Sequence, residues 1–201
     1  MKNFYIADLH LFHNSVLKDG KFHERPFETL DEMNQAIMNN WNRVVTNGDT
    51  VYLLGDIAHK ANANETAEFL SQLKGKIILI TGNHDRIKDQ KIRKQLSEIY
   101  TYKECVDYIK GKAIQVVLCH YPIFSWNGQF RGAIHLYGHV HDNEDDQLYQ
   151  DAINNSNRHF AIRDGERHKD FQAYNVGCMK DYMNYTPRTL EEILIANNKI
   201  Q

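Results

Sequence analysis

Residues 76–85 read KIILITGNHD, and the change of character at Thr81 is where the fold begins to show. Lys76 to Thr81 is a short, almost unbroken apolar run rich in β-branched residues, which predicts a buried strand. It stops at Gly82-Asn83-His84-Asp85, where every side chain after the glycine is polar and suited to a turn. Asn, His and Asp are also residue types that bind divalent cations. The same construction recurs along the chain. Asn3 to Ala7 (NFYIA) runs directly into Asp8, with His10 two residues on, and Val51 to Leu54 (VYLL) ends in Gly55-Asp56. Ala113 to Cys119 ends in His120, and Ala133 to Tyr137 ends in Gly138-His139-Val140-His141.

The stretches between these runs have a helical period. Residues 28–46 carry Leu30, Met33, Ile37, Trp41, Val44 and Val45 at helical spacing, with Thr29 as N-cap and Glu32 three residues on in a capping-box pattern. Residues 63–73 and 87–98 also read as helices, and Leu190 to Asn197 as a closing helix. From about Tyr100 the pattern becomes strand-rich. Tyr102 to Ile109 and Ala113 to Cys119 flank Lys110-Gly111-Lys112, a hairpin signal, and Tyr174 to Cys178 suits a last strand. Residues 142–170 are polar, with a weak stripe around Leu148 to Ile153, and are taken as an inserted surface loop or small helix. There is no internal repeat, low-complexity tract or linker. The expectation is one α/β domain over residues 1–201, with sheets inside and helices outside.

Composition narrows the function classes. A formal net charge of −2 gives no global basic field of the kind nucleic-acid binders show. Three cysteines without a CxxC pair suit a reducing cytosol better than a disulfide scaffold. The N-terminal apolar stretch is interrupted by Asp8 and His10, so it does not read as a signal peptide, and no run is long enough to cross a bilayer. These features predict a cytoplasmic protein.

The histidines are informative by placement. Polar groups at the carboxyl ends of strands in an open sheet converge on one crevice. In Asp8-x-His10 and His139-x-His141, alternate residues of an extended segment project to the same face, so each pair can reach one ion. The glycines before Asp56, Asn83 and His139 let the backbone turn sharply where the strand ends. A carboxylate, imidazole and amide set without thiolate suits Mn, Fe or Zn, with Ni or Co also compatible. Two such ions about 3.5–4 Å apart can clamp a phosphoryl group and acidify a water; Asp56 is the best candidate to bridge them.

The order DLH, GD, GNHD, H, GHVH resembles the calcineurin-like metallophosphoesterase superfamily, over the stretch from Asp8 to His141. Arg25-Pro26-Phe27 followed by DEMNQAIMNNWN is similar to a small bacterial and phage branch of it. The resemblance implies a four-layer α/β/β/α sandwich, with Tyr174-Asn175-Val176-Gly177 as the strand that closes the second sheet. It implies two divalent ions, one on Asp8, His10, Asp56 and His141, the other on Asp56, Asn83, His120 and His139. A hydroxide bridging them would attack phosphorus in line, and His84, not a ligand, would donate to the leaving-group oxygen. One departure is notable. Many relatives read GDxxD, where the second Asp orients the catalytic His in the protein-phosphatase branch; here His59 stands in that place. A protein Ser/Thr phosphatase is therefore disfavoured.

For the substrate, the chain has little length for a cap, and an open site favours a phosphodiester, nucleotide or nucleic-acid derived. Trp126, Phe130 and Arg131 are candidates for a lip that stacks a base and contacts phosphate. Arg25 and His23 follow the first motif and could face the site, as could His13. A phosphomonoesterase or nucleotide pyrophosphatase on the same site is the alternative. A non-catalytic interaction module that keeps the fold, as the retromer subunit of this superfamily does, is a third, although such a module would be expected to lose ligands. Oligomeric state is not legible.

Overall fold

The computed structural model describes residues 1–18, 25–163 and 166–200. Its strands are β1 (Asn3–Ile6), β2 (Thr50–Leu53), β3 (Lys76–Ile80), β4 (Glu98–Tyr100), β5 (Tyr102–Ile109), β6 (Lys112–Cys119), β7 (Ile134–Tyr137), β8 (Ile162–Arg163), β9 (Glu166–Arg167) and β10 (Gln172–Asn175). The helices are α1 (Ser15–Lys18), α2 (Leu30–Val44), α3 (Ala63–Ser71), α4 (Gln90–Arg93), α5 (Glu144–His159) and α6 (Leu190–Ala196). One sheet has the order β1-β2-β3-β4, all parallel, and the other β10-β7-β6-β5, parallel except for the β5–β6 hairpin. Apolar side chains of both sheets share one core, and α2 and α3 add Met33, Ile37, Trp41, Phe69 and Leu70 to it. A second, smaller cluster lies under α5, built on Val117, Trp126, Ile153 and Phe171. The result is a four-layer α/β/β/α sandwich. The parallel register points the carboxyl ends of β1, β2 and β3 the same way, and those of β6 and β7 likewise.

Local signals place most elements. Thr29 caps α2 by accepting from the Glu32 N–H at 3.1 Å. The reciprocal arm goes elsewhere: Glu32 accepts from the Glu28 N–H at 2.9 Å. At the hairpin, Lys110 and Gly111 take φ of 49° and 79°, the left-handed pair that a two-residue turn requires.

Two expectations are corrected. Residues 87–98 form only the short α4, and Glu98 pairs with Ile78 as the start of an edge strand. The mixed charge read as a helix face belongs to α4 and the turns on either side of it. Residues 142–170, taken as a loop or small helix, hold a longer helix than expected. They contain α5, sixteen residues long, capped by Asn143, with three acidic residues in its first turn. It buries little of itself, Asp146, Ile153 and Ser156, so its apolar period is faint.

His135 on β7 is fully buried away from any ligand group. Its Nε2 accepts from the Ile123 N–H at 3.3 Å, so Nδ1 carries the proton, donated to Val117 O at 3.1 Å. Burial lowers its pKa from 6.5 to about 4. The folded pKa lies below the unfolded one, so the unfolded chain takes up a proton first. Stability held above pH 6.5 is therefore lost as pH falls towards 4, by on the order of 3 kcal/mol from this group. Urea unfolding of the wild type between pH 7.5 and 4.5 should show that slope, and His135→Gln should flatten it; an equal slope in both proteins would refute the assignment.

Candidate metal centre and active site

Each candidate ligand lies just past a strand end, but for five of the seven the backbone is left-handed, not extended. Asp8, His10, Asp56, His139 and His141 have φ of 56°, 46°, 55°, 72° and 50°. The expectation that Asp8 and His10, or His139 and His141, act from alternate positions of an extended segment is thus corrected: β1 stops at Ile6 and β7 at Tyr137, and left-handed turns aim the side chains. A non-glycine residue there costs on the order of 1–3 kcal/mol, and surrounding bonds must hold it. Those bonds are present. Asp8 N–H donates to Gly55 O at 3.1 Å and His10 N–H to Asp56 O at 3.0 Å. His139 N–H donates to Asp8 Oδ2 at 3.0 Å, and Asn175 Nδ2 to His141 O at 2.5 Å.

The glycines also work differently from the simple turn argument. At Gly82 a Cβ would stand 2.3 Å from Asp56 Oδ1, and at Gly138 one would stand 2.6 Å from Asp8 Oδ2. These two are required because the carboxylates pass over bare backbone, whereas Gly55, at φ 84°, supplies the turn.

The ligand atoms form two groups, Asp8, His10 and His141, and Asp56, His120 and His139, each with its atoms within 4.8 Å of one another. Asp56 Oδ2 lies between them, 3.7 Å from His10 Nε2 and 3.6 Å from His120 Nε2. Asn83 Oδ1 joins the second group at 3.2 Å from His120 Nε2 and 3.1 Å from His139 Nδ1. His120 donates its Nδ1–H to Leu54 O at 2.8 Å. In the neutral ring, Nε2 then turns a lone pair towards the lone pairs of Asn83 Oδ1 and Asp56 Oδ2. Acceptors facing acceptors in a buried site need a cation among them. A divalent ion in each group fits this donor set, with His120 fixed in its tautomer by the carbonyl behind it.

The electrostatics agree. Burial pushes the Asp8 carboxyl well above the usual range, and the nearby Asp56 carboxyl adds to it; the His139 N–H and the Arg25 guanidinium pull it back. Burial, Arg25 and His141 hold His10 well below the ordinary imidazole value. His139 is lowered by burial and by His120. Two close carboxylates, with His10 and His139 held towards the neutral form, leave charge and lone pairs for metal ions to take up.

His84 stands beside this set, its N–H donating to Asp56 Oδ1 at 3.0 Å and its Nδ1 2.9 Å from His59 Nδ1. The His13 ring lies 4.2 Å from that of His59, centroid to centroid. Burial and His84 lower His59, and burial and His59 lower His13 to about 4. A cleft of about 390 Å³ opens over these rings and over His10, His139 and His141.

Sequence reading gave Asp85 no part. Its carboxylate accepts from Gly82 N–H at 2.7 Å, Ile57 N–H at 2.9 Å and Asp56 N–H at 3.1 Å, tying the loop after β3 to the loop after β2. The signal was its position in the turn, where an Asp commonly accepts from nearby N–H groups.

The expected substrate lip is corrected. Trp126 is 6% exposed and donates its indole N–H to Ala133 O at 2.9 Å. Phe130 packs on Phe171 and Phe160. The loop after β6 folds back under α5 and buries Trp126 there, with Phe130 packed against the same cluster. Arg131 is exposed and donates to Asn127 Oδ1 at 3.4 Å, and neither it nor Trp126 lines the cleft. The ring at the site's edge is Tyr121, 42% exposed and 4.6 Å from the His139 ring. Arg25 is buried with its guanidinium on backbone carbonyls. His23 lies outside the described residues.

Sandwich and ligand groups together are those of a metallophosphoesterase. The sequence model of the calcineurin-like phosphoesterases matches residues 1–194, and the chain belongs to that family. It is 35% identical over 147 residues to the uncharacterised protein MJ1445 of Methanocaldococcus jannaschii, 73% of each chain. A solved structure of a protein of unknown function from Aquifex aeolicus, AQ665, has the same fold, with a TM-score of 0.63 at 22% identity over 96% of this chain and 98% of its own. Vps29 of Entamoeba histolytica, solved with Zn²⁺, matches at a TM-score of 0.33 and 16% identity over 69% of this chain and 64% of its own. Among the described residues no helix is long and apolar enough to cross a membrane.

Proposed function

We propose that this chain hydrolyses phosphodiesters at a centre holding two divalent ions. The observation that carries the reading is the place of Asp56 Oδ2 between the two ligand groups, at 3.7 and 3.6 Å from His10 and His120. Asp8, His10, Asp56 and His141 would hold one ion, and Asp56, Asn83, His120 and His139 the other. The donor types suit Mn, Fe or Zn best, with Ni or Co compatible. Such ions, when bound, neutralise phosphoryl oxygens and supply an acidified water as nucleophile.

The chain's own groups do the rest. His59, kept neutral by its surroundings, accepts the Nδ1 proton of His84 at 2.9 Å. His84 can then hold a second proton on Nε2 and pass it to the leaving-group oxygen. The bond from His84 N–H to Asp56 ties that acid to the carboxylate between the ligand groups. Among the described residues, Lys60 is the only Lys or Arg lining the cleft. One exposed cation suits the single charge of a diester better than the dianion of a monoester. Tyr121 is placed to meet an aromatic or nucleoside group of the ester. Unpaired cysteines fit a cytoplasmic setting.

The test is metal content by ICP-MS, with hydrolysis of bis- and mono-(p-nitrophenyl) phosphate in Mn²⁺. Near two ions per chain and a faster diester rate are expected. A faster monoester rate would overturn the substrate assignment, and a protein that binds no ion would overturn the centre. Tyr121→Ala should raise KM for an aromatic diester by about tenfold, since one stacked ring contributes about 1–3 kcal/mol. Trp126→Ala should instead cost stability, about 3–5 kcal/mol, with KM unmoved. The opposite pairing of effects would restore Trp126 as the contact.

A further inference from the structure

Arg25 is a buried charge whose side chain points at backbone. It is 3% exposed; Nη1 donates to Leu9 O at 2.7 Å and Nη2 to Asp8 O at 2.8 Å. The Cys178 thiol also donates to Asp8 O, at 3.1 Å, and the Tyr185 ring lies 5.9 Å from the guanidinium carbon. These two carbonyls belong to the Asp8-Leu9-His10 turn, whose outer residues hold φ of 56° and 46°. A planar guanidinium can span two neighbouring carbonyls with parallel N–H groups; an ammonium cannot.

We propose that Arg25 is a positioning residue of the metal centre: its fork holds the Asp8-Leu9-His10 backbone in the turn that presents the Asp8 carboxylate and the His10 ring to one ion. The inference rests on the reading that Asp8, His10 and His141 hold that ion. Charge acts both ways here: it favours the ionised Asp8 carboxylate, yet a positive charge beside a cation site opposes cation binding. What Arg25 adds is geometry: two buried carbonyls are satisfied, and a left-handed turn is kept that would otherwise relax.

Charge and geometry are separable by titrating the protein with Mn²⁺ in competition with a chelator. Arg25→Lys keeps the charge and loses the fork. It should weaken one of the two ion affinities by about 10- to 100-fold, the usual cost of removing a group that orients a ligand, and leave the other unchanged. Arg25→Ala should show a selective loss that millimolar ethylguanidinium reverses and ethylammonium does not. A cleft of about 270 Å³ beside Arg25 gives such a cation access. Should Arg25→Ala fail to fold, the Arg25→Lys titration decides alone.

Wild-type affinities for both ions in folded Arg25→Lys would overturn the inference, even if its Tm had dropped, because a purely structural role predicts that result. Equal rescue by guanidinium and ammonium would also overturn it. A wild-type protein that binds no ion would instead bring down the two-ion reading itself, and this inference with it.

Discussion

Asp56→Asn lowers diester turnover by about 10³-fold or more and removes at least one ion per chain. The substitution is nearly isosteric, so an Asn Oδ1 could still accept the His84 N–H that Asp56 Oδ1 accepts at 3.0 Å. It replaces one oxygen by an NH₂ group, which cannot ligate, and removes the negative charge between the two ligand groups. A catalytic ion contributes several kcal/mol to the transition state, and at 1.36 kcal/mol per decade about 4 kcal/mol is 10³-fold. His84→Ala makes the contrast. It should keep both ions and lose about 10²- to 10⁴-fold in rate, the range for a general acid. ICP-MS on the same preparations as the rate assays checks both. Full metal content with wild-type turnover in Asp56→Asn would exclude a shared carboxylate, and unchanged turnover in His84→Ala would exclude His84 as the acid.

Asp85→Ala destabilises the protein by about 3–6 kcal/mol, because three backbone donors, those of buried Asp56 and Ile57 and half-buried Gly82, lose their acceptor at about 1–3 kcal/mol each, with part of the loss recovered by water. That exceeds the cost of most single core changes, though Asp85 touches no candidate ion. Its carboxylate joins the loop carrying Asp56 to the loop carrying Asn83 and His84. The variant should therefore also bind its second ion more weakly. Urea unfolding of the metal-free protein gives the first number, and a chelator titration of the folded variant gives the second. A loss below about 1 kcal/mol would mean that the three N–H groups find other partners.

The legible parts of this fold were those with a local cause. Lys76–Ile80 is a strand in the structure because it is apolar on both faces, and it reads as one for the same reason. Thr29 caps its helix, and Lys110-Gly111 turns its hairpin, by chemistry confined to a few neighbouring residues. The helix Glu144–His159 was legible only as a weak stripe around Leu148 to Ile153, because it is polar on most of its surface and is held by a few contacts with the second sheet, among them Tyr149 and Ile153. The strand Glu98–Tyr100 escaped because three residues at a sheet edge carry too little period to outweigh a helical-looking context.

At the site the division is the same. The sequence alone determined which residue types follow each strand and in what order, and so the chemistry of the donor set. Tertiary structure decided how those side chains are aimed, through left-handed turns held by bonds across long sequence separations. It decided that Gly82 and Gly138 are needed for clearance over Asp56 and Asp8, that Trp126 belongs to the core and Tyr121 to the rim, and that Arg25 grips backbone. Each of these depends on burial and on hydrogen bonds between distant residues, such as Arg25 to Asp8 or Asn175 to His141. Residue order encodes composition and period directly, whereas burial exists only once the sheets have packed.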